Sequence, residues 1–272
     1  MSLIENTLFG IIDKIKIATI RLKEYEPEEG YYLAFSGGKD SIVLEHLTKG
    51  AGVKYDAHYN VTGIDHPSLF RFIRRNYPDV ALNMPETNIF ALALSRRSPP
   101  MRKMRFCCNV LKERGGEGRL VLTGIRWAES TRRLKTRKMY EVCYRSESRR
   151  FLHPIIDWTS NDIWSYIEMK HLPYPELYDK GYTRLGCIMC PEGGAKQMTR
   201  HAHDYPKMAQ RWIRCLDDIL KLKKAPTFKN GKEYFDWWIS GKHNSSNDNQ
   251  GCFFFDNEAP LDLPGGLIQE IP

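Results

Sequence analysis

The segment YYLAFSGGKDS, residues 31–41, constrains this chain of 272 residues more than any other. Tyr31-Tyr32-Leu33-Ala34-Phe35 is an apolar run of strand length, and Asp40-Ser41 opens a helical pattern that continues through Leu47. Glycines between a strand and a helix let backbone N–H groups approach an anion closely. The helix N-terminus adds unsatisfied donors and a partial positive charge. Ser36, Gly37, Gly38, Lys39, Asp40 and Ser41 are therefore candidate phosphate-binding residues. Lys39 supplies a full charge, and Ser36 and Ser41 supply hydroxyl donors. The loop is not a Walker loop, which needs Gly-Lys-Ser/Thr at a longer glycine spacing. The plainer alternative is a glycine turn before a helix.

The surrounding pattern alternates strands with helices. Residues 54–61, 80–84 and 119–124 read as further strands, and residues 67–76 and 159–171 as helices, the last capped by Thr159 or Ser160. Residues 3–24 read as one amphipathic helix ended by Glu-Pro-Glu-Glu-Gly. The basic segment 95–106 reads as a loop, and the chain from Ser240 as irregular. Strand–helix alternation predicts right-handed crossovers and an α/β fold, a mainly parallel twisted sheet flanked by helices. Residues 1–195 are expected to form the nucleotide-binding part and residues 196–272 a helical C-terminal extension. Ligands of such sheets lie at the carboxyl ends of the strands. Ser36 and Gly124 both fall at such ends, so two motifs point to one edge.

Lys and Arg number 41 against 33 Asp and Glu, a net charge of +8. This excess suggests an anionic partner, a nucleotide or a nucleic acid, although charge runs are also ordinary solvated faces. No apolar run reaches the length of a membrane span, and the N-terminal segment lacks a signal-peptide pattern. A cytoplasmic location without a membrane partner is expected. The seven cysteines, an odd count, point away from a disulfide framework and toward metal or catalytic roles.

Further blocks extend the match. YYLAFSGGKDS resembles the PP-loop of the adenine-nucleotide α-hydrolase group, and VTGIDHPSLFRFI (61–73) resembles an Asp-Thr-Gly block with Val61 in the aspartate's place. LTGIRWAESTRR (122–133) resembles a Gly-Ile-Arg-x-x-Glu-Ser-x-x-Arg block. HPIIDWTSNDIWSYI and LPYPELYDKGYTRLGCIMCP resemble the stretch leading to paired cysteines. Together they resemble the phosphoadenosine phosphosulfate (PAPS) reductase family from about Tyr31 to Pro191. The resemblance implies a PP-loop, Rossmann-like fold and an adenine nucleotide whose pyrophosphate or sulfate sits on the loop. Arg126 and Arg133 are forked donors suited to such oxygens and are, with Lys39, the candidate catalytic residues; Gly124 joins the nucleotide-binding set. Glu129 stands either as a holder of one of these arginines or as an ordinary i,i+4 partner of Arg133.

Cys107-Cys108 and Cys187-Ile-Met-Cys190 form two pairs. Four thiolates suit zinc or an iron–sulfur cluster, and adjacent cysteines are awkward for tetrahedral zinc. The resemblance to the assimilatory adenylyl-sulfate (APS) reductases implies one [4Fe–4S] cluster on these four residues. Lys112, Arg105 and Arg184 lie near them in sequence and would offset thiolate charge. Cys143 and Cys215 read as core residues. His201 and His203 read as surface histidines rather than a metal pair, and Trp212 with the aromatics of residues 235–239 as a packing face.

The family's reductases carry a late catalytic cysteine in a Glu-Cys-Gly-x-His context. The late cysteine here is Cys252, in Asn-Gln-Gly-Cys-Phe, with no neighbouring base or cation to activate it. The leading expectation is an ATP pyrophosphatase that adenylates an acceptor for sulfur transfer. Mg²⁺ would accompany ATP, a sulfur donor would follow, and the basic segments 96–105 and 132–138 would suit a nucleic-acid acceptor. The alternatives are an APS or PAPS reductase that uses Cys252 or an external thiol and is served by a thioredoxin-like reductant, and a non-catalytic nucleotide and redox sensor.

Overall fold

The structure is a computed structural model and describes residues 3–7, 10–142 and 149–242. Cys143 and Cys252 lie outside the described residues. Contacts divide the chain into two compact units, residues 1–86 with 106–188, and residues 87–105 with 189–272. The second unit thus draws on two separated segments, which no single boundary along the sequence expresses.

The first unit opens on a hairpin of β1 (Ile4–Thr7) and β2 (Gly10–Asp13), followed by helix α1 (Lys14–Glu24). The single helix expected over residues 3–24 is therefore corrected to a hairpin and a shorter helix. Gly10 adopts φ 123°, and Asp13 caps α1 by accepting from the Ile15 and Lys16 N–H groups at 3.0 Å. A cap of this kind fixes where the helix starts. Lys14, buried at the first turn, reaches Asp162 at 2.8 Å.

Strand β3 (Tyr31–Ala34), helix α2 (Lys39–Ala51), strand β4 (Tyr55–Asn60), helix α3 (Pro67–Asn76) and strand β5 (Ala81–Asn83) follow. Helix α4 (Ile89–Ser95) belongs to the second unit. The first unit resumes with a π-helix over Cys108–Lys112, strand β6 (Leu120–Leu122), a 3₁₀ turn over Trp127–Glu129 and helix α5 (Thr131–Thr136). It ends with strands β7 (Tyr140–Val142) and β8 (Arg150–Leu152) and helix α6 (Ser160–Met169). Thr159 caps α6, with Asp162 returning the bond to the cap.

The six-stranded sheet runs β5-β4-β3-β6-β8-β7, parallel throughout except for β7 on β8. Strand β3 is flanked by β4 and β6, so the strand order reverses there, the kind of edge where open α/β sheets bind ligands. Leu33, Ile42, Leu44, Leu122, Ile155 and Trp158 are fully buried in the core beneath it. The structure is the α/β fold that the strand–helix alternation predicts.

The second unit is helical: α4, α7 (Gly194–Asp204), α8 (Pro206–Lys221) and α9 (Gly231–Ser240). Trp212 and Trp238 are fully buried with ring centroids 4.7 Å apart, and Trp238 donates to the Pro100 carbonyl at 2.8 Å. His201, expected at the surface, is fully buried and accepts the Met189 N–H at 2.9 Å; His203 is exposed. Helical spacing alone does not reveal that His201 faces inward while His203, two residues on, faces out.

Candidate nucleotide site

Residues 36–38 leave the end of β3 and Lys39 begins α2. Gly37 has φ +68°, and a Cβ there would lie 2.6 Å from Ile73 Cδ1, so glycine is required by both backbone and packing. The loop is laced internally. The Ser41 hydroxyl donates to the Gly38 carbonyl at 2.9 Å and accepts the Ser36 N–H at 3.2 Å. Ser36 Oγ lies 3.1 Å from Ser41 Oγ. Ser41 is buried and shapes the loop, whereas Ser36 is exposed at its mouth.

Asp40 gathers two cations. Its Oδ1 accepts from Arg126 Nε at 2.7 Å, and its Oδ2 from Lys39 Nζ at 3.2 Å. Arg126 is only 1% exposed and also donates to the Trp158 carbonyl at 3.2 Å. Two cations on one carboxylate leave a positive excess at the loop, which is what an anion site needs. Gly124, after β6, makes this approach possible. A Cβ there would stand 3.1 Å from the Asp40 Cβ, carbonyl carbon and carbonyl oxygen.

Arg133 stands at the same edge, ion-paired with Glu129. Glu129 also accepts the Arg126 backbone N–H at 3.0 Å, so it serves both arginines, one by charge and the other at its main chain. Burial and the like charges of Arg184, Arg137 and Arg126 hold the Arg133 guanidinium below its ordinary value, while Asp40 pulls the other way. The charges of Arg126, Arg137 and Arg184 thus all act on Arg133. Arg137 and Arg184 were not singled out for this role in the sequence, because only the fold brings them to this edge. Arg137 pairs with Glu141 at 2.7 Å, and Arg184 is exposed.

Tyr178 completes the mouth, and sequence reasoning missed it. Its hydroxyl accepts the Lys39 N–H at 2.9 Å, and its ring lies 5.7 Å from Lys39 Nζ. The only signal was its place within the quoted block LPYPELYDKGYTRLGCIMCP.

Cys107 precedes the π-helix and Cys108 begins it, both half-buried. Cys187 is buried, forms an isolated bridge with Asp65, and lies 3.4 Å from Thr62 Oγ1. Cys190 belongs to the second unit, where its carbonyl accepts the Gly193 N–H at 3.0 Å. Among the described residues no group of three or more His, Cys, Asp or Glu side chains that could hold a metal ion is found.

Residues 30–193 match the model of the phosphoadenosine phosphosulfate reductase domain. The chain belongs to this family. An adenosine 5′-phosphosulfate reductase of Geobacillus kaustophilus is 30% identical over 204 residues, covering 68% of this chain and 81% of that protein. An uncharacterized protein of Methanocaldococcus jannaschii is 28% identical over 219 residues, covering 75% of this chain and 45% of that one. The chain spans about half the length of the two M. jannaschii relatives it matches, 45% and 47%. A solved PAPS reductase of Candida auris matches with TM-score 0.49 and 17% identity, over 64% of this chain and 89% of that one.

Within the PAPS reductase domain, Val61 is buried core and takes no part in polar contacts at the loop. The carboxylate in this stretch is Asp65, which accepts the Thr62 N–H at 2.7 Å and fixes the turn after β4. No helix among the described residues is long and apolar enough to cross a membrane.

Proposed function

We propose that this chain binds an adenine nucleotide through the anhydride attached to its α-phosphate, with that anhydride on residues 36–41, and acts on the anhydride. The carrying observation is the Asp40 carboxylate shared by Lys39 and Arg126 directly beside the loop. It fixes two cations in advance of binding, and charge arranged beforehand is what stabilises a developing oxyanion. Arg133 adds a third cation, positioned by Glu129.

The reading placed first is ATP cleavage. An acceptor oxygen attacks the α-phosphorus, pyrophosphate leaves onto the loop, and a sulfur donor later displaces AMP. Mg²⁺ bound to ATP would supply further charge stabilisation at the leaving group. This route needs no attacking thiol. Among the described residues the one cysteine outside the two pairs is Cys215, buried in the second unit with its thiol pushed up to about 12 by burial. Such a thiol is a poor nucleophile. The exposed Arg132, Lys135 and Lys138 support a nucleic-acid acceptor, since phosphate backbones are held by such cations.

A second reading, reduction of APS or PAPS to sulfite with a thioredoxin-like reductant, is favoured by the relatives named adenosine 5′-phosphosulfate reductase at 30% identity. The thiols of Cys107, Cys108, Cys187 and Cys190 suit an iron–sulfur cluster by residue type, and the resemblance to the APS reductases is what favours a resident [4Fe–4S] cluster. Iron and sulfide analysis of anaerobically purified protein, with Cys187→Ser beside it, tests the cluster apart from activity.

Anaerobic protein is offered Mg-ATP with and without nucleic acid, and separately APS and PAPS with thioredoxin and its reductase. Pyrophosphate from ATP is expected. Sulfite from either sulfonucleotide at enzymatic rates would replace the first reading with the second. Neither product would sink both and leave the binding role.

A further inference from the structure

We propose that Tyr178 is an anion-binding residue of the 36–41 loop, its oxygen taking the Lys39 N–H and its own O–H reaching the oxyanion of the bound nucleotide. The inference rests on the reading of that loop as the anhydride site. The Tyr178 oxygen stands at the face of the loop, 2.9 Å from the Lys39 nitrogen, and a Cβ on Gly38 would come within 3.4 Å of it. In other words, the hydroxyl occupies the approach that an oxyanion would take to the Lys39 N–H. A tyrosine hydroxyl is both acceptor and donor. Lys39 uses the acceptor side. No acceptor for the phenolic hydrogen is found among the described residues.

Two roles fit a hydroxyl in this place. As a plug, Tyr178 would leave when the anion arrives. As a donor, it would stay and replace the Lys39 N–H with an O–H set further toward the ligand. The surroundings favour the second. The ring is met edge-on by Trp164 at 5.1 Å and 89°, with Tyr174 a further edge contact at 6.5 Å. Its backbone is tied at both ends, Tyr178 N–H to the Pro175 carbonyl at 3.1 Å and Gly181 N–H to the Tyr178 carbonyl at 3.0 Å. Departure would break these contacts together, whereas rotation of one O–H bond costs little. Burial holds the phenol well above its ordinary value, so it keeps the hydrogen it would donate. Asp40 and Arg126 both act on it, which places it beside the loop's two charge anchors.

The test is Tyr178→Phe in the full chain, titrated calorimetrically with inorganic pyrophosphate, with thermal unfolding measured alongside. The ring and its packing survive this change; the O–H does not. Pyrophosphate binding about tenfold weaker at an unchanged melting midpoint is expected, the usual size of a hydrogen bond to a charged group. Binding as tight as wild type, or tighter, overturns the donor role and makes Tyr178 a plug. Weaker binding that comes with a lowered midpoint also overturns it, in favour of a structural role. Wild-type protein that binds neither pyrophosphate nor ATP removes the anion-loop reading, and this inference with it.

Discussion

Asp40 Oδ1 lies 2.7 Å from Arg126 Nε, joining the first turn of α2 to the loop after β6 across the point where strand order reverses. The same carboxylate holds Lys39 at 3.2 Å. A guanidinium that is 1% exposed cannot stand without such a partner, because an unpaired buried charge costs about 3–5 kcal/mol. The pair is thus a structural requirement of the sheet edge, and Lys39 on the same carboxylate leaves that edge a net positive charge.

The glycines around this pair differ in what they tolerate. Gly37→Ala places a Cβ 2.6 Å from Ile73 at φ +68°, and Gly124→Ala places one 3.1 Å from Asp40. Overpacking of this kind costs roughly 1–3 kcal/mol. Urea unfolding is expected to rank Gly37→Ala as the more destabilised. Gly124→Ala is expected to lose nucleotide affinity disproportionately, since it moves Asp40. Equal affinity in Gly124→Ala and wild type would show that Asp40 placement is not needed for binding.

The buried ion pair of Lys14 with Asp162 ties the start of α1 to the cap of α6. Burial alone would raise the Asp162 carboxyl, but the bonds from Lys14 and Thr159 hold it below its ordinary value. Lys14→Met leaves that carboxylate buried and unpaired, and a loss of about 3 kcal/mol is expected. Asp162→Asn in the same background should recover part of it. A strictly additive double mutant would contradict the pairing.

His153 sets a pH dependence. It is fully buried, 2.7 Å from Thr123 Oγ1, and burial pushes it down to about 4 from an ordinary 6.5. The unfolded chain therefore takes up a proton that the folded chain refuses. Its contribution is complete above pH 6.5, is lost as pH falls from 6.5 to 4, and levels below that. The loss is on the order of 3 kcal/mol from this one group. The melting midpoint of wild type should fall relative to that of His153→Gln as pH drops through this window, and the difference should stay flat above it. A difference that is constant from pH 7 to about pH 4 would contradict the assignment.

Much of the sheet edge was legible because glycine, charge and strand order are local signals. Residues 36–41 mark a loop that admits close approach, and Gly124 marks a strand end at the same edge. The helix over 67–76 was bounded by Pro67 and by the turn at Tyr77. The hairpin before α1 was not legible, since Ile11 and Ile12 fit a helical stripe and only the Gly10 backbone and Asp13 cap break it. Tyr178, Arg137 and Arg184 were invisible for a different reason. Their roles come from tertiary placement, and nothing in their own neighbourhoods marks a tyrosine or arginine as lying near a loop about 100 to 150 residues earlier. Glu129 was readable as a partner of arginine, but its main-chain bond to Arg126 depended on the 3₁₀ turn.

The most direct test of the central claim is calorimetric titration of ATP, APS and PAPS into the full chain and into Arg126→Gln. Saturable binding of at least one of these by the wild type is expected. In Arg126→Gln that binding should fall at least about tenfold, the scale of a lost charge-assisted hydrogen bond. Wild-type protein that binds none of the three, or a variant that binds as tightly as wild type, would contradict it.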